Sequence, residues 1–147
     1  MHPIRYGFLL CGLCAMWPAH AVEFWHSDTV WAGQGMCAAS FTFDSGMEPV
    51  SNLRVSLSAI DEAGHNIDSL VLDIPEFGSS SAERYVTELW ESDTACDDNL
   101  TLLITSASAT IDGKRQDLLK SGGLRPRLFK PFTITLDAPS AAQNNQR

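Results

Sequence analysis

The chain has 147 residues, of which 10 are basic and 18 acidic, so its formal net charge is −8 at neutral pH. This length gives one domain with room for a hydrophobic core. The negative charge argues against nucleic acid and anionic membranes as partners, because both repel an acidic surface.

The first 21 residues have the features of a secretory signal peptide. Arg5 gives a positive start, an apolar run of about a dozen residues extends from Tyr6 to Trp17, and the triplet Ala19-His20-Ala21 forms a small-x-small exit. The apolar run is shorter than the roughly 20 residues that a membrane-spanning helix needs. We therefore predict cleavage between Ala21 and Val22, with a product that is either periplasmic or secreted and has no membrane segment.

Cleavage removes Cys11 and Cys14 and leaves Cys37 and Cys96. In an oxidising compartment an isolated pair of cysteines is expected to form a disulfide, although two unrelated buried thiols are the alternative. A bond between them would close a loop of about 60 residues and contribute on the order of 4 kcal/mol. No C-x-x-C pair remains, so the pattern predicts neither a zinc site nor a thioredoxin-like centre.

Apolar and polar residues alternate along much of the mature chain, at the period of half-buried strands. The clearest alternating segments are 37–43, 53–59, 70–74 and 132–136. Turn-forming clusters separate the strands at 33–35, 44–46, 61–66 and 78–81. The segment Ala82 to Glu91 also has helical spacing, but strand formers and strand neighbours favour a strand there.

The segment from Leu100 to Ile111 changes phase partway along, which indicates a bulge near Thr105–Ser106. Asp112-Gly113 follows as a two-residue hairpin signal, and we expect Lys114 to Leu119 to form the return arm. About seven short strands separated by turns predict an all-β sandwich of the immunoglobulin or fibronectin type III kind over residues 22–136. The tail 137–147, rich in Ala, Gln and Asn, is predicted to be disordered.

No residue pattern predicts catalysis or a cofactor. His26-Ser27-Asp28 has the residue types of a hydrolase triad, but neighbours on a strand point to opposite faces. His65 lies in the polar turn Gly64-His65-Asn66, where a solvated histidine is ordinary. The acids Asp93, Asp97 and Asp98 do not have the spacing of a calcium loop. We expect a protein that is not an enzyme and holds no metal.

Three tryptophans remain after cleavage: Trp25, Trp31 and Trp90. Large aromatic side chains fill sandwich cores, and they anchor interfaces when they are exposed. We expect at least two of the three in the core, with Trp25 or Trp31 open to a partner at an edge of the sheet.

The leader and the lone pair Cys37 and Cys96 accompany two segments, Ser106-Ala-Ser-Ala-Thr-Ile-Asp-Gly-Lys-Arg-Gln-Asp-Leu-Leu119 and Pro131-Phe-Thr-Ile-Thr-Leu136. Together they resemble the family of small secreted enterobacterial proteins typified by interleukin receptor mimic protein A. The resemblance extends over about Val22 to Leu136, and the Ile-Asp-Gly-Lys hairpin is its most specific part.

This resemblance implies a fibronectin type III-like sandwich that forms a strand-swapped homodimer. It also implies a secreted, virulence-associated protein that binds host cytokines through likeness to the binding modules of interleukin receptors. No contact residue is implied. Exposed edge strands give such a swap a physical basis, because an edge is a template for another chain. The segment Ser121-Gly122-Gly123 is the candidate hinge.

The leading hypothesis is therefore a non-enzymatic secreted protein that binds host interleukins and modulates immunity. The alternative is a fimbrial or surface-fibre subunit, or a periplasmic chaperone, since pilins are also exported sandwiches that accept a strand from a neighbour. Against it, the chain keeps a full final strand at Phe132 to Leu136. A small periplasmic hydrolase or inhibitor is a third hypothesis and would depend on His26 or His65.

Overall fold

Nine strands account for most of the chain in a computed structural model, which describes residues 20–127 and 132–136. In chain order they are β1 (Val22–Gly33), β2 (Met36–Asp44), β3 (Val50–Ile60), β4 (Asn66–Phe77), β5 (Tyr85–Ser92), β6 (Thr101–Ile111), β7 (Lys114–Asp117), β8 (Leu124–Pro126) and β9 (Thr133–Thr135). One short helix, α1 (Leu118–Ser121), joins β7 to β8.

The strands form two sheets, which pack into a sandwich. The first sheet has the order β5-β2-β1-β8, and the second has the order β4-β3-β6-β7, with β9 also paired to β6. Most pairs are antiparallel, but β8 runs parallel to β1 and β9 runs parallel to β6. The prediction of an all-β sandwich is confirmed. The described residues form nine strands where about seven were expected, and two of the nine, β8 and β9, are only three residues long.

The core lies between the sheets and follows from the alternation in the sequence. The first sheet contributes Phe24, Phe41 and Phe43, and the second contributes residues such as Leu57 and Leu72, all almost fully buried. Burying one such side chain stabilises the fold by about 1.5–3 kcal/mol. The predicted disulfide is present: Cys37 in β2 is bonded to Cys96, with their Cα atoms 5.2 Å apart.

Two local predictions about β6 are confirmed. The pairing steps from Ser56–Ser106 to Leu57–Ile104, which leaves Thr105 as the extra residue of a bulge. Asp112 and Gly113 form the hairpin turn with φ angles of 53° and 71°. Both residues tolerate this left-handed conformation, which a two-residue hairpin turn requires.

Two predicted boundaries were wrong. The segment 82–91 is a strand only from Tyr85, because Ser81–Glu83 forms a 3-10 turn before it. The return arm of the hairpin ends at Asp117, two residues early, because the Asp117 carboxylate accepts hydrogen bonds from the N–H groups of Leu119 and Lys120. This is an N-cap, and it starts α1 where a strand was expected.

The predicted ends of the chain are described only in part. Of the leader 1–21, the structure describes His20 and Ala21, and the tail 137–147 lies outside the described residues. The final strand, predicted at Phe132 to Leu136, is present as β9. Among the residues that the structure describes, no helix is long and apolar enough to cross a membrane.

Candidate interaction surface

His26 and Ser27, which have residue types of a hydrolase triad, lie on opposite faces of the first sheet. His26 is buried, with Nε2 2.6 Å from the Thr29 hydroxyl and its ring centroid 4.4 Å from that of Phe132. Ser27, by contrast, lies on the outside of the first sheet, where its hydroxyl donates to the Ser40 carbonyl. The structure therefore does not bring His26 and Ser27 together as acid–base partner and nucleophile.

His65 and the acidic cluster both shape turns. The Asp61 carboxylate accepts a hydrogen bond from the backbone N–H of His65, and this bond is the main cause of a lowered pKa at Asp61. Asp93 accepts from the N–H of Thr94, and Asp97 from that of Asn99. In the described ranges, no three His, Cys, Asp or Glu side chains are grouped as metal ligands would be.

The expectation that two tryptophans lie in the core was wrong. Trp90 is buried, but Trp25 is only half-buried and Trp31 is 75% exposed. Trp25 lies between the buried Phe24 and His26 on β1, so the alternation of the strand directs its side chain to the outer face of the sheet. Trp31 lies near the tip of the β1–β2 hairpin, beyond the residues of β1 that pair with β8.

The outer face of the first sheet, here called the ladder face, carries two adjacent aromatic rings flanked by two arginines. Arg127 lies over the ring of Trp25, with its Cζ 5.1 Å from the ring centroid. Trp25 meets Tyr85 edge-on at 6.5 Å, and Arg84 lies 5.0 Å from the centroid of Tyr85. Each guanidinium faces the negative face of a ring, which is the favourable cation–π arrangement.

Carboxylates hold both arginines of this ladder in place. Arg84 donates to the two oxygens of Asp44 at 2.8 and 2.9 Å, and Arg127 lies 3.8 Å from Glu23. The hydrogen bonds from Arg84 lower the pKa of Asp44 against the opposing effect of burial, and Asp44 in turn raises the pKa of Arg84. The bidentate pair fixes the plane of the Arg84 guanidinium.

The other half of the ladder face is apolar and acidic. In one row across the sheet Val30 is followed by Ala38 and Glu91, and in the neighbouring row Asp28 is followed by Ser40 and Leu89. Val30 and Leu89 are each 53% exposed. Asp28 and Glu91 are exposed as well, so two acids border two open apolar side chains.

The outer face of the second sheet has a different chemistry. It is rich in small hydroxyl side chains from β3, β4 and β6, among them Ser56, Ser58, Ser69 and Ser106. Trp, Tyr and Arg are the residue types that most often dominate binding energy at interfaces, whereas Ser is under-represented. The ladder face, not the serine-rich face, is therefore the candidate for recognition.

Sequence reasoning missed this ladder. The signal that was available is the alternation of Tyr85, Thr87 and Leu89 along β5, which puts them on one face. Nothing in the sequence states that β1 and β5 flank β2, and this order is what brings Trp25 to Tyr85.

The predicted hinge lies at the end of α1. The Ser121 hydroxyl accepts from the N–H of Gly123, the Gly123 N–H also reaches the Leu118 carbonyl at 2.9 Å, and the Gly123 carbonyl accepts from Val22. These contacts connect the segment to α1 and β1. Its role as a hinge stays a prediction.

The fold and the ladder face together define a class: a disulfide-linked β-sandwich with one face suited to binding another protein. The family model of interleukin receptor mimic protein A (IrmA) matches residues 22–124, and the chain belongs to this family. The matched region begins at Val22, the first residue after the predicted cleavage point.

A solved structure of IrmA from Escherichia coli has the same fold, with a TM-score of 0.60 and 27% sequence identity. The match covers 79% of this chain and 98% of that chain. No curated protein sequence matches. The family is described as a receptor mimic, which is a binding function and not an enzymatic one, and neither comparison favours the fimbrial alternative.

Proposed function

We propose that the protein is an exported, non-enzymatic protein that binds host interleukins, and that the ladder face is its contact surface. The family description supports the class of partner. The observation that carries the choice of face is the Arg127–Trp25–Tyr85–Arg84 ladder on an open sheet surface.

The ladder is suited to binding because its side chains are already held. Association has to offset the entropy lost when interface side chains are immobilised, at about 0.5–1.5 kcal/mol each. Asp44 holds Arg84, Glu23 lies beside Arg127, and Tyr85 packs against Trp25. The aromatic rings and guanidiniums therefore meet a partner with little further loss of freedom.

The acidic half of the face favours one kind of partner surface. Asp28 and Glu91 border the exposed Val30 and Leu89, and the whole chain is negatively charged. A partner that presents apolar side chains flanked by Lys or Arg matches this pattern in shape and charge. Complementary charge speeds association and disfavours wrong partners more than it adds affinity.

Export and immune modulation as a virulence factor are part of the same proposal. Cleavage between Ala21 and Val22 would release the mature chain into an oxidising compartment, where the Cys37–Cys96 bond is stable. This supports a periplasmic or secreted location.

A strand-swapped homodimer is likewise proposed. Strand β9 has only three residues, and its segment is held by pairing with β6 and by the buried Phe132 and Ile134. A second copy of the chain offers the same binding position. The hinge would be Ser121-Gly122-Gly123. Light scattering of the purified mature protein tests the swap, because a mass of about 14 kDa would show a monomer and contradict it.

The experiment that tests the proposed function is a binding screen of the oxidised mature protein against a panel of human interleukins. The variant Tyr85→Ala/Leu89→Ala removes two exposed side chains from the ladder face. Its matched control is Ile67→Ala/Val71→Ala, which removes two similarly exposed side chains from β4 of the second sheet.

We expect at least one interleukin to bind, with affinity reduced at least tenfold by the first variant and less than twofold by the control. No binding across the panel would contradict the proposed function. Binding that the two variants weaken equally would contradict the assignment of the face.

A further inference from the structure

A polar pocket lies at the start of β1, beside the predicted cleavage point. Its volume is about 380 Å³. It is lined by His20, Ala21, Glu23, Asp44, Gly46, Glu48, Arg84 and Arg125. Two of these residues, His20 and Ala21, belong to the leader. Cleavage would remove them and leave the other six lining residues in place.

His20 occupies this pocket as a ligand would. Its Nε2 lies 2.5 Å from the Ser45 carbonyl oxygen, and its Nδ1 lies 3.7 Å from a Glu48 carboxylate oxygen. The ring packs so closely on Gly46 that a Cβ there would lie 2.6 Å from Cε1 of His20. Among the described residues, His20 is the one basic side chain within 4 Å of Glu48.

Val22 anchors the strand next to this pocket. Its side chain is fully buried, and its backbone nitrogen donates to the Gly123 carbonyl at 2.8 Å. Hydrolysis of the Ala21–Val22 peptide bond adds one water, leaving a carboxylate on Ala21 and an ammonium on Val22. One N–H of that ammonium can stay on Gly123, and the other two face the space that Ala21 leaves.

Among the described residues, Glu48 is the carboxylate of this pocket that has no arginine within 4 Å. The three carboxylates of the pocket are Glu23, Asp44 and Glu48. Arg84 pairs with Asp44, and Arg127 lies close to Glu23. Arg125 is the remaining cation in the lining. Cleavage removes His20 from beside Glu48, and the Val22 ammonium appears two residues further along the chain.

We propose that this pocket is a binding site for a primary ammonium, and that its ligand in the mature protein is the protein's own α-amino group at Val22. The ammonium takes the place of the His20 ring beside Glu48 and keeps its hydrogen bond to Gly123. Gly123 immediately precedes β8, so the processed N-terminus then links β1 to β8. These two strands lie at one edge of the first sheet, whose outer surface is the ladder face. The inference rests on cleavage at Ala21–Val22 and is independent of any interleukin.

The α-amino pKa of the exported protein tests this proposal. The full precursor is exported, the first residue of the product is identified by mass spectrometry, and the α-amino group is titrated by NMR. We expect a pKa about one unit above the ordinary value of roughly 7.7–8.0. The resulting stabilisation is present below pH 8 and is lost as the pH rises through the raised pKa.

Three variants make the test specific. Glu48→Gln should return the α-amino pKa to its ordinary range, whereas Glu62→Gln, in the exposed turn after β3, should leave it raised. Insertion of Gly-Ser between Ala21 and Val22 moves the ammonium two residues away and should also restore an ordinary pKa. An ordinary pKa in the unaltered protein, a first residue other than Val22, or no response to Glu48→Gln would overturn the proposal.

Discussion

Arg84 donates two hydrogen bonds to the carboxylate of Asp44, from Nε to Oδ1 at 2.8 Å and from Nη2 to Oδ2 at 2.9 Å. The same guanidinium lies over the ring of Tyr85. Asp44 also accepts from the N–H of Gly46 and so orders the turn after β2. One buried carboxylate therefore supports both the ladder face and the turn beside the N-terminal pocket.

Asp44→Asn should destabilise the protein by about 2 kcal/mol at pH 7, because it removes a buried charged acceptor of two hydrogen bonds from Arg84. The folded-state pKa of Asp44 is lowered, so its contribution is present above the ordinary value of 3.8 and is lost as the pH falls through the folded pKa. Urea unfolding of both proteins between pH 7 and pH 3 measures this difference, which should shrink below pH 3.8.

The control is Asp73→Asn, since Asp73 faces Arg54 at 3.6 Å with both side chains more than half exposed. Exposed pairs of this kind contribute less than about 1 kcal/mol. An Asp44→Asn effect no larger than that of Asp73→Asn would show that the bidentate pair does not stabilise the fold.

Reduction of the Cys37–Cys96 bond should lower the free energy of unfolding by about 4 kcal/mol, because the bond closes a long loop of the unfolded chain. Denaturant unfolding with and without reductant measures the difference. Cys37→Ala/Cys96→Ala should unfold at the same denaturant concentration as the reduced protein. Equal stability of the oxidised and reduced forms would contradict this assignment.

Phe132→Ala should cost about 3–5 kcal/mol, because Phe132 is almost fully buried against His26 and Trp90. Leu136, four residues further along, is about half exposed and gives the matched control, Leu136→Ala. Thermal unfolding of both variants checks the prediction. If both variants melt at the temperature of the unaltered protein, Phe132 does not anchor the final segment.

Glu91→Lys on the ladder face should slow association with an interleukin that binds through basic residues, and it should weaken the dependence of that rate on salt. The control is Glu76→Lys, which makes the same charge change on exposed β4 of the other sheet. Association rates from 20 to 300 mM salt measure both effects. Equal responses of the two variants would show only a general effect of net charge.

The local features of this fold were predictable because each depends on a few neighbouring residues. Thr105 shifts the alternation of β6, and Asp112-Gly113 has the conformational freedom that a two-residue turn requires. The cap at Asp117 has a signal in the sequence, with Gly122 five residues later, but a four-residue helix is too short to show a helical period.

The order of the strands and the ladder face depend on distant residues and could not be predicted. Trp25 and Tyr85 are 60 residues apart in the chain and meet only because β2 lies between their strands. The exposure of Trp25 depends on which face of β1 packs against the second sheet, a property of the folded sandwich. Local patterns determine strands, whereas the pairing of strands determines which side chains remain open.

The central claim is that the ladder face is the contact surface for an interleukin. Side-chain footprinting of the protein, alone and in complex with the interleukin that binds it in the screen, tests this claim most directly. Hydroxyl-radical oxidation, read by mass spectrometry, should be slower in the complex at Tyr85 and Leu89 and unchanged at Ile67 and Val71. Protection of Ile67 and Val71, with Tyr85 and Leu89 oxidised at the same rate as in the free protein, would contradict the claim.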